Sequence, residues 1–199
     1  MKRIFLLAIL ASVTIISNAQ VQFGAKASFN FSNVSVSPKD AGESYKFTPG
    51  FNVGGLAAIG LTENFTLQPE VLFSMQGSKG KYTDGSTTVN STLSLGYINI
   101  PVLAKYKTSS GFFAEVGPQL GFLVTAKQKT SGTSTDVKQY FKSTDFSGVL
   151  GVGYLSSMNL GVDLRYNLGF TNIAKDANGS VKNGVFQLGV FYLFGGAKK

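Results

Sequence analysis

The chain has no cysteine, no histidine and no tryptophan, and only 14% of its 199 residues are charged. Without cysteine no disulfide can brace an exported domain, no thiol can serve as nucleophile, and no lipid can be attached at a leader cleavage site, which needs that residue. Without histidine the usual general base of neutral-pH catalysis and the most adaptable metal ligand are both missing. Long apolar runs are scarce as well. The conspicuous one, Ile4 to Ile16, is shorter than the ~20 residues a spanning helix needs. It lies between Met1-Lys2-Arg3 and the small residues Ser17-Asn18-Ala19, the layout of a signal peptide. Residues 1–19 are therefore expected to be a leader and 20–199 a single exported domain. The formal charge of +8 falls by two when Lys2 and Arg3 leave. In an exported chain this basic balance points to anionic lipid head groups rather than nucleic acid.

What the chain does have is alternation. From Leu160 to Phe170 every second residue is apolar or aromatic, with Gly161, Asp163, Arg165, Asn167 and Gly169 between them. A strand period of two puts the two sets on opposite faces of a sheet. The same pattern recurs in eight segments: 21–31, 49–61, 65–75, 93–106, 112–125, 144–154, 159–170 and 184–194. Connections alternate between tight (62–64, 107–111, 155–158) and long (32–48, 76–92, 126–143, 171–183). An even strand number, with short turns at one rim and long loops at the other, predicts an all-β fold: an eight-stranded antiparallel up-and-down transmembrane β-barrel.

Charge decides which face is inside. On the polar parity the segments carry Lys26, Lys105 and Arg165 against Glu70, Glu115 and Asp163. A face in water would carry charge far more densely, whereas a sparse and balanced set suits an enclosed lumen with the apolar face toward lipid. Glu70, Lys105 and Glu115 are expected to form one lumen network, and Lys26, Asp163 and Arg165 another, in a structural role. Aromatic residues, 17 Phe and 8 Tyr, gather near the strand ends. Tyr106, Phe112, Tyr154, Tyr192 and Phe194 fall on the short-turn side, and Phe29, Phe31, Phe51, Phe73, Phe146, Phe170 and Phe186 toward the long loops, as interfacial girdles do.

Four stretches, Leu67 to Gly77 (LQPEVLFSMQG), Tyr97 to Pro101 (YINIP), Ala114 to Pro118 (AEVGP) and Leu164 to Ile173 (LRYNLGFTNI), resemble the PorT-like outer-membrane β-barrel family, also labelled the porin family. The resemblance implies an eight-stranded barrel of the OmpA and OmpX type in the bacterial outer membrane. It also implies insertion by the barrel-assembly machinery through a terminal aromatic, for which Phe194 stands five residues from the end. An accessory role in a secretion apparatus is a further implication.

Eight strands leave a bore that side chains fill, so a wide diffusion pore is not expected, and a narrow solute channel is the alternative. Neither is an enzyme. Glu70 and Glu115 have the residue type of a glycosidase pair, but beside Lys105 they read as a salt bridge, and Gly77-Ser-Lys-Gly80 lacks the phosphate-loop spacing. No catalytic, cofactor or metal site is expected. The expected activity is structural or surface binding through the long loops. In the segment 126–143, Lys127, Lys129, Lys138 and Lys142 outnumber Asp136 and are candidates for contact with anionic lipid or lipopolysaccharide.

Overall fold

The computed structural model describes residues 20–37, 44–84, 87–130, 132–175 and 179–195; the expected leader, 1–19, lies outside them. Among the described residues nine strands run in chain order: β1 Val21–Ser37, β2 Ser44–Gly60, β3 Phe65–Asp84, β4 Thr87–Lys107, β5 Phe112–Thr130, β6 Thr133–Asp136, β7 Thr144–Leu155, β8 Leu160–Gly169 and β9 Ser180–Leu193. Eight of them close a ring in the order β1-β2-β3-β4-β5-β7-β8-β9, antiparallel at every step. The ring shuts where β9 pairs with β1 from Gly24↔Leu193 to Ser37↔Ser180. The ninth, β6, pairs only with β5 and belongs to the long-loop side.

Local chemistry fixes the short-turn rim. Thr62 Oγ1 accepts the backbone N–H groups of Asn64 and Phe65 at 3.3 and 3.0 Å, and Asn64 Nδ2 donates to Lys107 O at 2.8 Å. Asn159 takes a left-handed φ of 62°, a conformation asparagine tolerates better than most residues. There its N–H donates to Ser156 O at 3.1 Å.

Several strands run further than the alternation predicted. β1 extends to Ser37, β3 to Asp84, β4 begins at Thr87 and β5 ends at Thr130, so much of the expected loops 32–48, 76–92 and 126–143 is sheet. The β3–β4 ladder continues in register up to Asp84↔Thr87. Backbone pairing persists past the apolar band, where Thr83, Thr87, Thr88 and Thr92 suit a ladder even with no lipid to face.

The burial pattern is the reverse of that of a protein dissolved in water. Phe29 is 71% exposed and Leu150 65%, while Lys26, Asp163 and Arg165 are each 2% exposed. Outward aromatics pair near both rims: Phe65–Tyr106 and Phe112–Tyr154 (centroids 5.0 and 5.2 Å) by the turns, Phe51–Phe73 and Phe146–Phe170 (6.1 and 5.9 Å) toward the loops.

Candidate functional site: a sealed lumen and a basic outer wall

β8 is the cleanest strand, with exposed and buried residues alternating throughout, and it carries Asp163 and Arg165 into the bore. Arg165 Nη1 and Nη2 each donate to Glu70 at 2.8 Å, a bidentate pair, and Nε donates to Glu115 Oε1 at 2.5 Å. In a ring of eight, β3 and β8 are diametrically opposite, so the Arg165–Glu70 pair spans the bore. Lys26 pairs with Asp163, Arg165 Nε lies 3.5 Å from Asp163 Oδ1, and Lys105 Nζ lies 3.4 Å from Glu115 Oε2. Gln68 Nε2 donates to Glu70 Oε1 at 2.7 Å.

The six charges thus form one connected cluster hinged on Arg165, not the two groups expected. Glu70 faces Arg165 and not Lys105, because its carboxylate projects across the bore rather than along the wall. Lys105 instead lies over the rings of Phe113 and Phe191, 3.9 and 4.6 Å from their centroids, a placement that helps hold a desolvated ammonium.

Layers stack above and below this belt. On the turn side Leu56, Ala58, Phe113, Phe191 and Leu193 close the bore as an apolar layer. Toward the loops comes an uncharged belt, in which Asn30 Nδ2 donates to Asn52 Oδ1 and Ser74 Oγ at 3.0 and 3.2 Å, and Asn167 Nδ2 to Gln119 Oε1 at 3.2 Å. Asn183 Nδ2 then donates to Asp145 Oδ2 at 2.8 Å and reaches Tyr97 Oη, on the opposite wall, at 3.4 Å. Val34, Leu95, Leu123, Ala126, Val137 and Ile173 form the outermost apolar layer. Neither apolar layer was expected: Leu56, Ala58, Phe113, Phe191, Leu193, Leu95 and Leu123 occupy inward places that alternation assigns to polar residues, and Val34, Ala126, Val137 and Ile173 lie in the expected loops.

Asp145 is a correction to the charge count. It lies on the inward parity of β7 with Ser147, is 7% exposed, and makes a seventh buried charge. Among the described residues no basic group lies within ion-pair distance of it. Asp145→Asn retains the shape and the Asn183 contact while removing an uncompensated charge. It is expected to raise the unfolding free energy at neutral pH by about 1 kcal/mol, measured by urea titration in detergent.

Lys127 and Lys129 stand exposed on the extended part of β5 rather than in a loop. Lys138 opens a three-residue 3₁₀ turn and its Nζ donates to Val124 O at 2.9 Å. Lys142 is exposed, with its backbone N–H donating to Ile173 O at 2.7 Å.

A closed antiparallel ring, apolar and aromatic outside and ionic within, is an integral membrane β-barrel. Residues 17–175 match the family described as "Outer membrane protein beta-barrel domain", and the chain belongs to that family. This places it with proteins of the bacterial outer membrane. Its fold is similar to that of Neisserial surface protein A, with a TM-score of 0.58 at 18% identity over 87% of this chain and 98% of that one. More distant are the attachment invasion locus protein Ail of Yersinia pestis (TM-score 0.49, 16% identity, 88% and 99% covered) and OprG from Pseudomonas aeruginosa (0.39, 12%, 89% and 95%). No curated protein sequence matches.

Proposed function

We propose that the protein is a sealed outer-membrane barrel that conducts no solute and acts as a structural or surface-interaction element, through the sheet wall and loops on its long-loop side. The carrying observation is the Arg165–Glu70 pair lying across the full bore between two apolar layers. A diffusion pathway would require a wet, continuous passage, and this stack places desolvated ion pairs and packed Leu, Phe and Ile in its course. On this reading residues 1–19 direct export, outer-membrane lipid surrounds the wall, and the barrel-assembly machinery inserts it with Phe194 as the terminal aromatic. Lys127, Lys129, Lys138 and Lys142 supply positive charge for anionic head groups.

Planar-bilayer recording of the refolded protein tests the reading. No steady unit conductance is expected, and a reproducible one would assign a narrow channel instead. Crosslinking from the loop side that returned a secretion-apparatus component would favour the accessory role.

A further inference from the structure

Strand register brings together lysines that are far apart in sequence. Lys46 on β2 is opposite Lys79 on β3, Lys79 is opposite Thr92 on β4, Thr92 is opposite Lys129 on β5, and Lys129 is opposite Ser134 on β6. Directly opposed residues point to the same face of a sheet, so these five form one transverse row. That face is the outer one. Leu93, beside Thr92, packs against the apolar layer in the bore, and Ser78, beside Lys79, is buried with its Oγ donating to Asn33 Oδ1 at 3.2 Å. Lys46, Lys79 and Lys129 are all exposed, and none is in an ion pair with another described residue. Lys127 stands one rung nearer the membrane, opposite Ser94 and Asp136.

Two lysines directly opposite one another with no intervening anion destabilise a sheet, so this row works against its own fold unless something negative covers it. Neighbouring strands are about 4.8 Å apart. Lys46 and Lys79 therefore present their charges roughly one strand apart and Lys129 about 10 Å beyond Lys79, a spacing suited to a ligand with several anionic groups. The row looks sideways from the wall above the loop-side aromatics, not upward over the mouth of the bore. What lies beside a wall just outside the apolar band is the head-group layer of the surrounding lipid.

We propose that Lys46, Lys79 and Lys129 form a lateral binding row for the phosphate groups of a phosphorylated glycolipid in the outer leaflet. The hydroxyls of Thr92 and Ser134 add hydrogen bonds to sugar or phosphate oxygens. The proposal rests on the surface-interaction reading, narrows its anionic head groups to phosphorylated glycolipid, and adds two lysines, on β2 and β3, outside the segment 126–143.

The test compares wild type with K46Q/K79Q/K129Q, both reconstituted in nanodiscs and both checked for the boiled-against-unboiled gel shift that reports a folded barrel. Binding to lipopolysaccharide-containing discs is measured against discs of neutral phospholipid alone. Wild type is expected to prefer the phosphorylated glycolipid in a salt-sensitive way, and the triple variant to lose at least tenfold of that preference. K107Q, at the short-turn end of β4, is expected to keep it. Equal binding to dephosphorylated lipopolysaccharide, an unchanged triple variant, or capture of soluble polyphosphate in preference to the membrane-borne ligand would each overturn the row. A conducting wild-type barrel in the bilayer recording would instead overturn the sealed-barrel reading, so the two failures are distinguishable.

Discussion

Arg165→Met is expected to lower the unfolding free energy of the barrel by about 3–5 kcal/mol, the range for breaking a buried ion pair from one side. The guanidinium donates to Glu70 twice and to Glu115 once, and both carboxylates are 1% exposed. Removing it leaves Glu70 with only the amide of Gln68 and Glu115 with only Lys105, neither reachable by bulk water. Much of the loss reflects stranded carboxylates rather than the intrinsic worth of the pairs. A combined variant, R165M/E70Q/E115Q/K105M, removes two positive and two negative charges and leaves Lys26–Asp163 intact. It is expected to recover most of the stability, because replacing a whole buried ionic group by uncharged residues of similar volume is often close to neutral. The measurement is urea titration of protein refolded into lipid vesicles, read from the fraction migrating as folded in unboiled gels. An unchanged midpoint for Arg165→Met would mean the cluster is hydrated and weak.

Gly117→Val is expected to abolish folding. A Cβ at Gly117 would land on the carbonyl oxygen of Val102, 2.9 Å from its carbon and 3.0 Å from Leu103 Cα. All three are backbone atoms of β4, paired with β3 at Val102 and Leu103 and flanked by β5 pairing at Pro101 and Ala104, so they have little room to retreat. Gly55→Ala is the matched control, since its Cβ would meet only Gly24 O at an ordinary 3.7 Å. The readout is the yield of heat-modifiable protein after refolding into detergent: near zero for the first variant and close to wild type for the second.

The strand pattern was legible because a barrel in lipid has one uniformly apolar face. Phe23, Phe29, Val53, Val71, Val116, Leu150 and Leu164, all on that parity, are all exposed. The inward face was legible only where it is charged. Leu56, Phe113, Phe191 and Leu193 are inward too, but an apolar residue between apolar neighbours blurs the alternation, so the layer they form leaves no trace in a one-dimensional pattern. Which carboxylate meets Arg165 depends on reach across the bore, a three-dimensional quantity. Asp145, at the second position of β7, was left out of the lumen charges because nothing local distinguishes a buried strand end from an exposed one. The lysine row was hidden for a related reason: its members lie on three strands, and only the register joins them.

The β1–β9 seam has a consequence for biogenesis. The N–H of Phe194 donates to Phe23 O at 2.7 Å and Gln22 Nε2 to Gly195 O at 2.8 Å, so among the described strands β1 is closed by the one farthest from it in sequence. A nascent chain missing β9 would have an open edge on β1 and polar side chains facing hydrocarbon. Ring closure must therefore wait until β9 has been synthesised and can reach β1.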